Sequence, residues 1–212
     1  QKGLEIPIST ARFANVAFSD GSLLHGFRQR IMKNQPIAAP RDVKRYFVTQ
    51  KESGQLCLLS AILGENREIF FPKLGTELKL VTFKSIAEAY LNSLGFDPLV
   101  CESEEEARDK AAAGKLNGSW LFYFSESDTT GEKNFEEFFS EEEEKNLNRF
   151  KEIGIMTNSN AAGEDILSHF LEEITKIREN RSWTRKKIIN LFCDMIPGFN
   201  HLEKGHFLDQ KM

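Results

Sequence analysis

The sequence predicts an α/β fold followed by a helical C-terminal region. Three observations lead there. Between Ile8 and Ser127, short apolar or alternating runs take turns with segments of helical period, as in strands and helices layered on one core. Two of those helices open with Ser or Thr followed three residues later by Glu, at Thr49–Glu52 and Ser103–Glu106, the reciprocal capping arrangement of a helix start. After Phe139 no convincing strand remains, and the rest of the chain has amphipathic helical spacing.

In chain order, Ile8–Phe18 (ISTARFANVAF) reads as one buried strand. A Ser-Asp-Gly-Ser turn breaks it. A helix then spans Ser22–Asn34, with Leu23, Leu24, Phe27 and Ile31 on one face, Arg28, Arg30 and Lys33 on the other, and Pro36 as its stop. PIAAP is a short extended piece, and DVKRYFVT (Asp42–Thr49) alternates as a strand. The Thr49 cap opens a helix from Lys51 to Leu63 that ends at Gly64. EIFFP and ELKLVTF are strands, the second feeding a helix over Lys84–Leu94 that stops at Gly95. PLVCE is a strand, Ser103 opens a helix to Ala113 and Gly114, and Trp120–Ser127 is a further strand. SDTTGEK is a loop. Ser140 with Glu143 caps a helix to Glu152, and two more helices span Gly163–Arg178 and Thr184–Met195. The SEEEEK run is a solvated helix start whose acids suit the dipole.

Bulk properties narrow the function classes. A chain of 212 residues buries about 70% of its unfolded surface. Its 18 phenylalanines make that core aromatic. A net charge of −4 gives no field to draw nucleic acid or an anionic membrane, so neither is expected as a partner, and a phosphate ligand would be met by a few placed Lys or Arg residues. Cys57, Cys101 and Cys193 are far apart and odd in number. They form neither a disulfide framework nor a metal motif, and a reducing cytosol is the expected location. No apolar run reaches the roughly 18 residues that span a bilayer. The first residue is Gln, so the chain is expected to begin inside a longer protein.

Dinucleotide or phosphate loops of the G-x-G-x-x-G and G-x-x-x-x-G-K-[ST] types are missing, as are H-E-x-x-H and C-x-x-C. His25, His169, His201 and His206 stand near no catalytic partner motif. Glu104–Glu106 and Glu136–Glu137 read as solvated helix faces, since an acid/base pair needs a pocket to separate its two pKa values.

Three stretches rise above this background, each with two readings. In ANVAFSDGS, Asn15 at a strand end either donates to a phosphate oxygen where a sheet opens or satisfies a neighbouring loop. In DVKRYFVT, Arg45 between apolar positions either offers its planar donors to phosphate or sits on an exposed strand face. In SDTTGEKNFEEFF, the amides of Thr129, Thr130 and Gly131 either approach a ligand or form a polar turn.

Taken in order, these stretches resemble the C-terminal half of extended short-chain dehydrogenases acting on nucleotide sugars, closest to the bacterial polysaccharide-biosynthesis type of UDP-N-acetylglucosamine 4,6-dehydratases and epimerases. RFANVAFSDGS resembles that group's R-x-x-N-V strand with its Gly-Ser turn. KRYFVT resembles its T-R-F-F-M-T strand, NREIFFPKL its segment ending in Pro-Lys, and TTGEKNFEEF its Pro-Gly-Glu-Lys loop. The resemblance covers about Ser9 to Phe139. It implies an incomplete remnant of a Rossmann-type fold in three parts: residues 1–21 as the end of a nucleotide-binding domain, 22–139 as an α/β lobe for the nucleotide sugar, and 140–212 as a helical extension.

The resemblance also implies a substrate site for a UDP-amino sugar. Asn15 and Arg45 would meet the diphosphate, the backbone of Ser22, Leu23 and Leu24 would line uracil and ribose, and Glu132 would accept from ribose hydroxyls. Where relatives carry Arg before Pro-Gly-Glu-Lys, this chain has Thr129 and Thr130, so a second diphosphate clamp is either missing or supplied from elsewhere, such as Lys133 or Lys73. The family's dinucleotide loop and Tyr-x-x-x-Lys pair do not occur here; Tyr46, Tyr90 and Tyr123 have no Lys four residues on. The implied full-length protein is a homo-oligomeric, NAD- or NADP-dependent 4,6-dehydratase (a lyase), with its catalytic residues upstream and this segment inactive alone. A UDP-sugar 4-epimerase and a non-catalytic binding module stay open as alternatives.

Overall fold

The computed structural model describes residues 6–73, 79–114, 116–128, 130–131, 139, 143–157, 163–196, 198–199 and 201–205. The chain forms two compact units: Gln1–Ser127 with Lys133–Asn158, and Asp128–Glu132 with Ser159–Met212. In the first unit the elements run β1 (Thr10–Ala11), β2 (Asn15–Val16), α1 (Leu23–Met32), β3 (Ile37–Pro40), β4 (Lys44–Arg45), β5 (Phe47–Val48), α2 (Gln50–Leu63), β6 (Glu68–Pro72), β7 (Val81–Thr82), α3 (Phe83–Ser93), β8 (Asp97–Cys101), α4 (Glu104–Ala113), β9 (Ser119–Ser125), β10 (Lys145–Asn146) and β11 (Ile153–Thr157). The second unit holds α5 (Glu164–Glu179) and α6 (Arg185–Met195). The result is mixed α/β, with parallel strand pairs and six helices among the described residues.

One layer is the parallel sheet β3-β9-β8. Side chains alternate across a strand, and β9 uses both faces. Trp120 and Phe122 join Leu24 and Phe27 of α1 with Phe83, Ala87 and Leu91 of α3, while Leu121 packs on the other side with Cys101 and Ala107 of α4. Trp120 Nε1 donates to the Gln35 carbonyl at 3.2 Å, so its polar edge is satisfied inside the core.

The second sheet is β1-β6-β11-β10, with β6 parallel to β1 and antiparallel to β11. Adjacent residues of β6 bury opposite faces. Phe70 packs with Leu56 of α2 and Ile155, and Phe71 with Ala14, Val48 and Met156. The short parallel pair β2-β5 and the antiparallel pair β4-β7 complete the unit.

Helix starts and stops obey the local code. Thr49 and Glu52 make the full reciprocal box at the start of α2. At α4 only half of the expected box forms. Ser103 accepts from the Glu106 amide, but the Glu106 carboxylate reaches the Glu102 amide one residue further back, at 2.7 Å.

Three expectations change. The single strand Ile8–Phe18 is two short strands in different sheets, β1 against β6 and β2 against β5. DVKRYFVT is likewise broken at Tyr46 into β4 and β5, which have different partners. Strands do occur after Phe139: β10 and β11 lie there, and Glu143–Glu152 carries no helix.

Long-range contacts outcompete the helix in that segment. The Arg12 guanidinium donates twice to the Glu143 carboxylate, at 2.8 and 3.0 Å. Arg149 holds Glu68 and the Leu63 carbonyl. Lys73 Nζ donates to the Phe150 and Lys151 carbonyls and ties the end of the segment to the residue after β6. The helices expected at Gly163–Arg178 and Thr184–Met195 form as α5 and α6, joined by edge-on contact of Phe170 with Phe192 at 5.3 Å.

Gly154 explains why β11 escapes a pattern reading: a glycine inside a five-residue strand looks like a breaker. Here it is required. Gly154 stands opposite Phe71 in register, and a Cβ on it would lie 2.3 Å from the Phe71 ring. Phe71 is 1% exposed and has nowhere to retreat. Gly154→Ala is therefore expected to destabilise the chain by about 1–3 kcal/mol, read as a lowered urea midpoint; an unchanged midpoint would show that the ring has room to move.

Candidate functional site

The candidate site grows from the junction of β2 and β5. These strands are parallel, with Asn15 beside Phe47 and Val16 beside Val48. The Asn15 main-chain amide donates to the Tyr46 carbonyl at 3.1 Å, and the Asn15 side-chain Nδ2 donates to the same oxygen at 3.3 Å. One carbonyl thus fixes both the backbone and the side chain of the predicted strand-end amide. Arg45 directly precedes Tyr46 in the sequence but belongs to another strand. It sits in β4 opposite Val81 of β7, half-buried, and its Nη1 donates to the Lys44 carbonyl at 2.9 Å. The fold therefore ties Asn15 to Tyr46, the residue that follows Arg45, although thirty residues separate Asn15 from Arg45.

Beyond Val16 the chain turns sharply. The Ser19 amide and hydroxyl both donate to the Val16 carbonyl, and the Ser22 amide donates to the Ser19 carbonyl at 2.9 Å. Phe18 adopts φ 58°, and Gly21 adopts φ 75°. The left-handed region is costly for a bulky residue such as Phe18, and its ring is held against Tyr90 at a centroid distance of 5.4 Å.

The turn delivers Ser22 to the start of α1, where its hydroxyl accepts from the His25 amide at 3.2 Å. The amides of Leu23 and Leu24 are the first two of the helix and have no intrahelical acceptor. No acceptor for them is found among the described residues. Their side chains look inward: Leu24 is 4% exposed in the core, and Leu23 packs on it. A ligand at this corner would meet main chain, not leucine side chains.

Of the third predicted stretch, Asp128–Glu132 falls in the second unit. Thr130 donates to Glu203 Oε1 at 3.0 Å and accepts from the Lys204 amide at 2.9 Å, and the Gly131 amide donates to the Leu202 carbonyl at 3.2 Å. The Gly131 amide, expected to approach a ligand, is thus committed within its own unit. Thr129, Glu132 and Lys133 lie outside the described residues. Lys73, considered as a replacement cation, is instead tied to two main-chain carbonyls.

Two features were not read from the sequence. One is the Arg12–Glu143 pair, whose partners are 131 residues apart. The other is a cavity of about 300 Å3 beside the β2-β5 pair, lined by residues that include Phe13, Phe47, Glu52, Leu56, Lys73 and Glu152. The Glu52 carboxyl there is held below its ordinary value, first by the Thr49 amide at 2.6 Å and then by the Thr49 hydroxyl at 2.8 Å, against a smaller upward push from burial. Burial raises the Cys101 thiol, reinforced by the nearby Glu106 charge, which leaves it a poor nucleophile. Among the described residues no cluster of His, Cys, Asp and Glu has the geometry of a metal site, and no helix is long and apolar enough to cross a membrane.

Comparison with known proteins bears on the family and the fold. The family model described as "Polysaccharide biosynthesis protein" matches residues 2–158, which ends where the first compact unit ends. Over 71 residues the chain is 34% identical to the "Probable polysaccharide biosynthesis protein EpsC" of Bacillus subtilis (strain 168), a stretch that makes up 33% of this chain and 12% of that protein. Its fold is similar to the X-ray structure of Pen from Bacillus thuringiensis, with a TM-score of 0.52 and 17% identity, over 73% of this chain and 40% of that one.

The lowered Glu52 pKa has a definite sign. Stability from the Thr49–Glu52 interaction is fully present above the unfolded-state carboxylate pKa and is lost as pH falls through the lower folded value. Glu52→Gln is thus expected to lower the urea midpoint at pH 7 and to approach wild type near pH 3 (a difference independent of pH would remove the charge from the account).

Proposed function

This chain belongs to the polysaccharide biosynthesis protein family, and on that premise we propose that it is the substrate-binding part of a nucleotide-sugar-modifying enzyme. The reaction proposed for the full-length protein is 4,6-dehydration of UDP-N-acetylglucosamine to a 4-keto-6-deoxy sugar. The observation that carries the reading is the hold of the Tyr46 carbonyl on Asn15, because it ties a neutral amide to the residue that directly follows Arg45. A pyrophosphate suits that pairing. A guanidinium is always charged and presents a planar set of donors, and an amide adds a donor without adding charge.

The turn from Val16 to Ser22 then carries the chain to the two open amides of Leu23 and Leu24, which suit the oxygens of uracil and ribose. Glu132 is assigned to the ribose hydroxyls, where a carboxylate is a strong acceptor and meets no opposing charge. The division of labour is physical: the positive group and a neutral donor go to the diphosphate, and main-chain amides and a carboxylate go to the nucleoside.

Hydride chemistry at the sugar would be supplied by NAD or NADP in the full-length protein. The residues present do not fit that group. The sequence has neither a glycine-rich dinucleotide loop nor a Tyr-x-x-x-Lys pair, so no redox step is assigned to any of its side chains. This chain's own part is to bind and orient, which for a sugar held against a cofactor is itself a large share of the barrier.

Isothermal titration of UDP-N-acetylglucosamine into the chain is expected to show weak binding that Arg45→Ala abolishes. Undiminished affinity in that variant would take Arg45 out of the site. A protein extended upstream to include a dinucleotide domain is expected to release a 4-keto product, detectable by its carbonyl absorbance, whereas the chain alone with NAD gives none. Recovery of only the C4 epimer from the extended protein would assign it to the epimerases instead.

A further inference from the structure

The second unit presents a helix whose apolar side is incompletely covered. Neither α5 nor α6 contains a buried residue. In α5 the apolar residues Ile166, Leu167, Phe170, Leu171, Ile174 and Ile177 fall on one side when successive residues step by about 100°. The side nearest α6 is only partly covered: Phe170 is half-buried, while Ile166 stays 48% exposed. Ile166 and Phe170 line a groove of about 290 Å3 with Leu191 and Met195. Leu167 and Leu171 stay 42% and 54% exposed.

The exposed part of the stripe has a register. Positions 164, 167, 171, 174 and 178 recur at alternating spacings of three and four, the seam of helices packed side by side. They read Glu, Leu, Leu, Ile, Arg. The seam is acidic at its N-terminal end, apolar in the middle and basic at its C-terminal end. Dipole compensation explains the signs of the end charges, but not their place on the apolar seam. Asp165, the other acid of the first turn, points about 100° away from Glu164. Glu164 and Arg178 are both exposed, and neither forms an ion pair with another described residue.

Such a seam complements itself when reversed. Two copies of α5 laid antiparallel around Leu171 bring Glu164 of each onto Arg178 of the other, and Leu167 of each beside Ile174 of the other. A parallel pairing would instead set like charge against like. We propose that α5 is a self-association surface and that its occupant is α5 of a second copy of this chain, in an isologous antiparallel contact. This inference does not depend on the nucleotide-sugar reading. It also meets a physical need, because a helix of this length without a buried side chain is marginal on its own in water.

Sedimentation velocity of the 212-residue chain over a range of concentrations is expected to show a reversible monomer–dimer equilibrium. Leu171→Asp should leave monomer only. Arg178→Glu, which sets two carboxylates against each other at both ends of the seam, should weaken the dimer by about tenfold. Adding Glu164→Arg to Arg178→Glu should restore it, because the reversed seam is again self-complementary. Far-UV circular dichroism checks that each variant keeps its helices, and Leu171→Gln replaces Leu171→Asp if the latter does not. Three results would overturn the proposal: a wild-type chain that is monomeric at every concentration, a folded Leu171 variant that still dimerises, or a folded double reversal that fails to recover.

Discussion

Phe70 and Phe71 are neighbours in sequence, and in an extended strand neighbours must face opposite ways. Both are almost wholly buried, at 0% and 1% exposure. That constraint organises the first unit. One face of β6 is committed to α2 and Ile155, and the other to β2, β5 and Met156, so no element beside β6 can slip by one residue without exposing a phenylalanine. The register of β11 is set in turn, and with it the need for a glycine at position 154, where the Phe71 ring occupies the space a methyl group would take.

The candidate site inherits its rigidity from that strand. Ala14 and Val48, on either side of the Asn15–Phe47 pair, are packed against Phe71. The Tyr46 carbonyl is consequently fixed when it takes both donors of Asn15. A site built this way places an amide on a strand, where its direction is set by the ladder, and then opens into a turn whose main chain is exposed to a ligand. The strained Phe18 conformation belongs to the same arrangement. Its left-handed backbone gives the turn its sharpness, and the ring contact with Tyr90 holds it there.

Electrostatics are local throughout. With a net charge of −4, attraction of an anionic ligand falls to individual cations, and most of the well-placed ones are already used inside the protein. Arg12 is paired with Glu143, Arg149 with Glu68, and Lys73 with two carbonyls. These long-range ties also explain why a segment rich in acidic helix formers adopts strands. Each joins residues more than 70 positions apart, and together they bind Glu143–Glu152 to the sheet instead of leaving it to coil on itself.

Sequence by itself determined what rests on local rules. The six helices among the described residues, the Thr49 capping box, the Gly64 and Gly114 stops, and the strands EIFFP and WLFYF were legible because hydrophobic period and capping chemistry act within a few residues. Asn15 and Arg45 stood out in the same way only as residue types out of place in apolar runs. Only the tertiary structure decided which sheet each half of Ile8–Phe18 joins, that DVKRYFVT breaks at Tyr46, and that β11 exists. It also decided that Leu24 points into the core while its amide stays open, and that the Gly131 amide is taken by Leu202. Strand pairing is a contact between distant residues, and a short strand carries too few of its own to announce its partner. That choice was made by burial of Phe70 and Phe71 and by ion pairs spanning the chain.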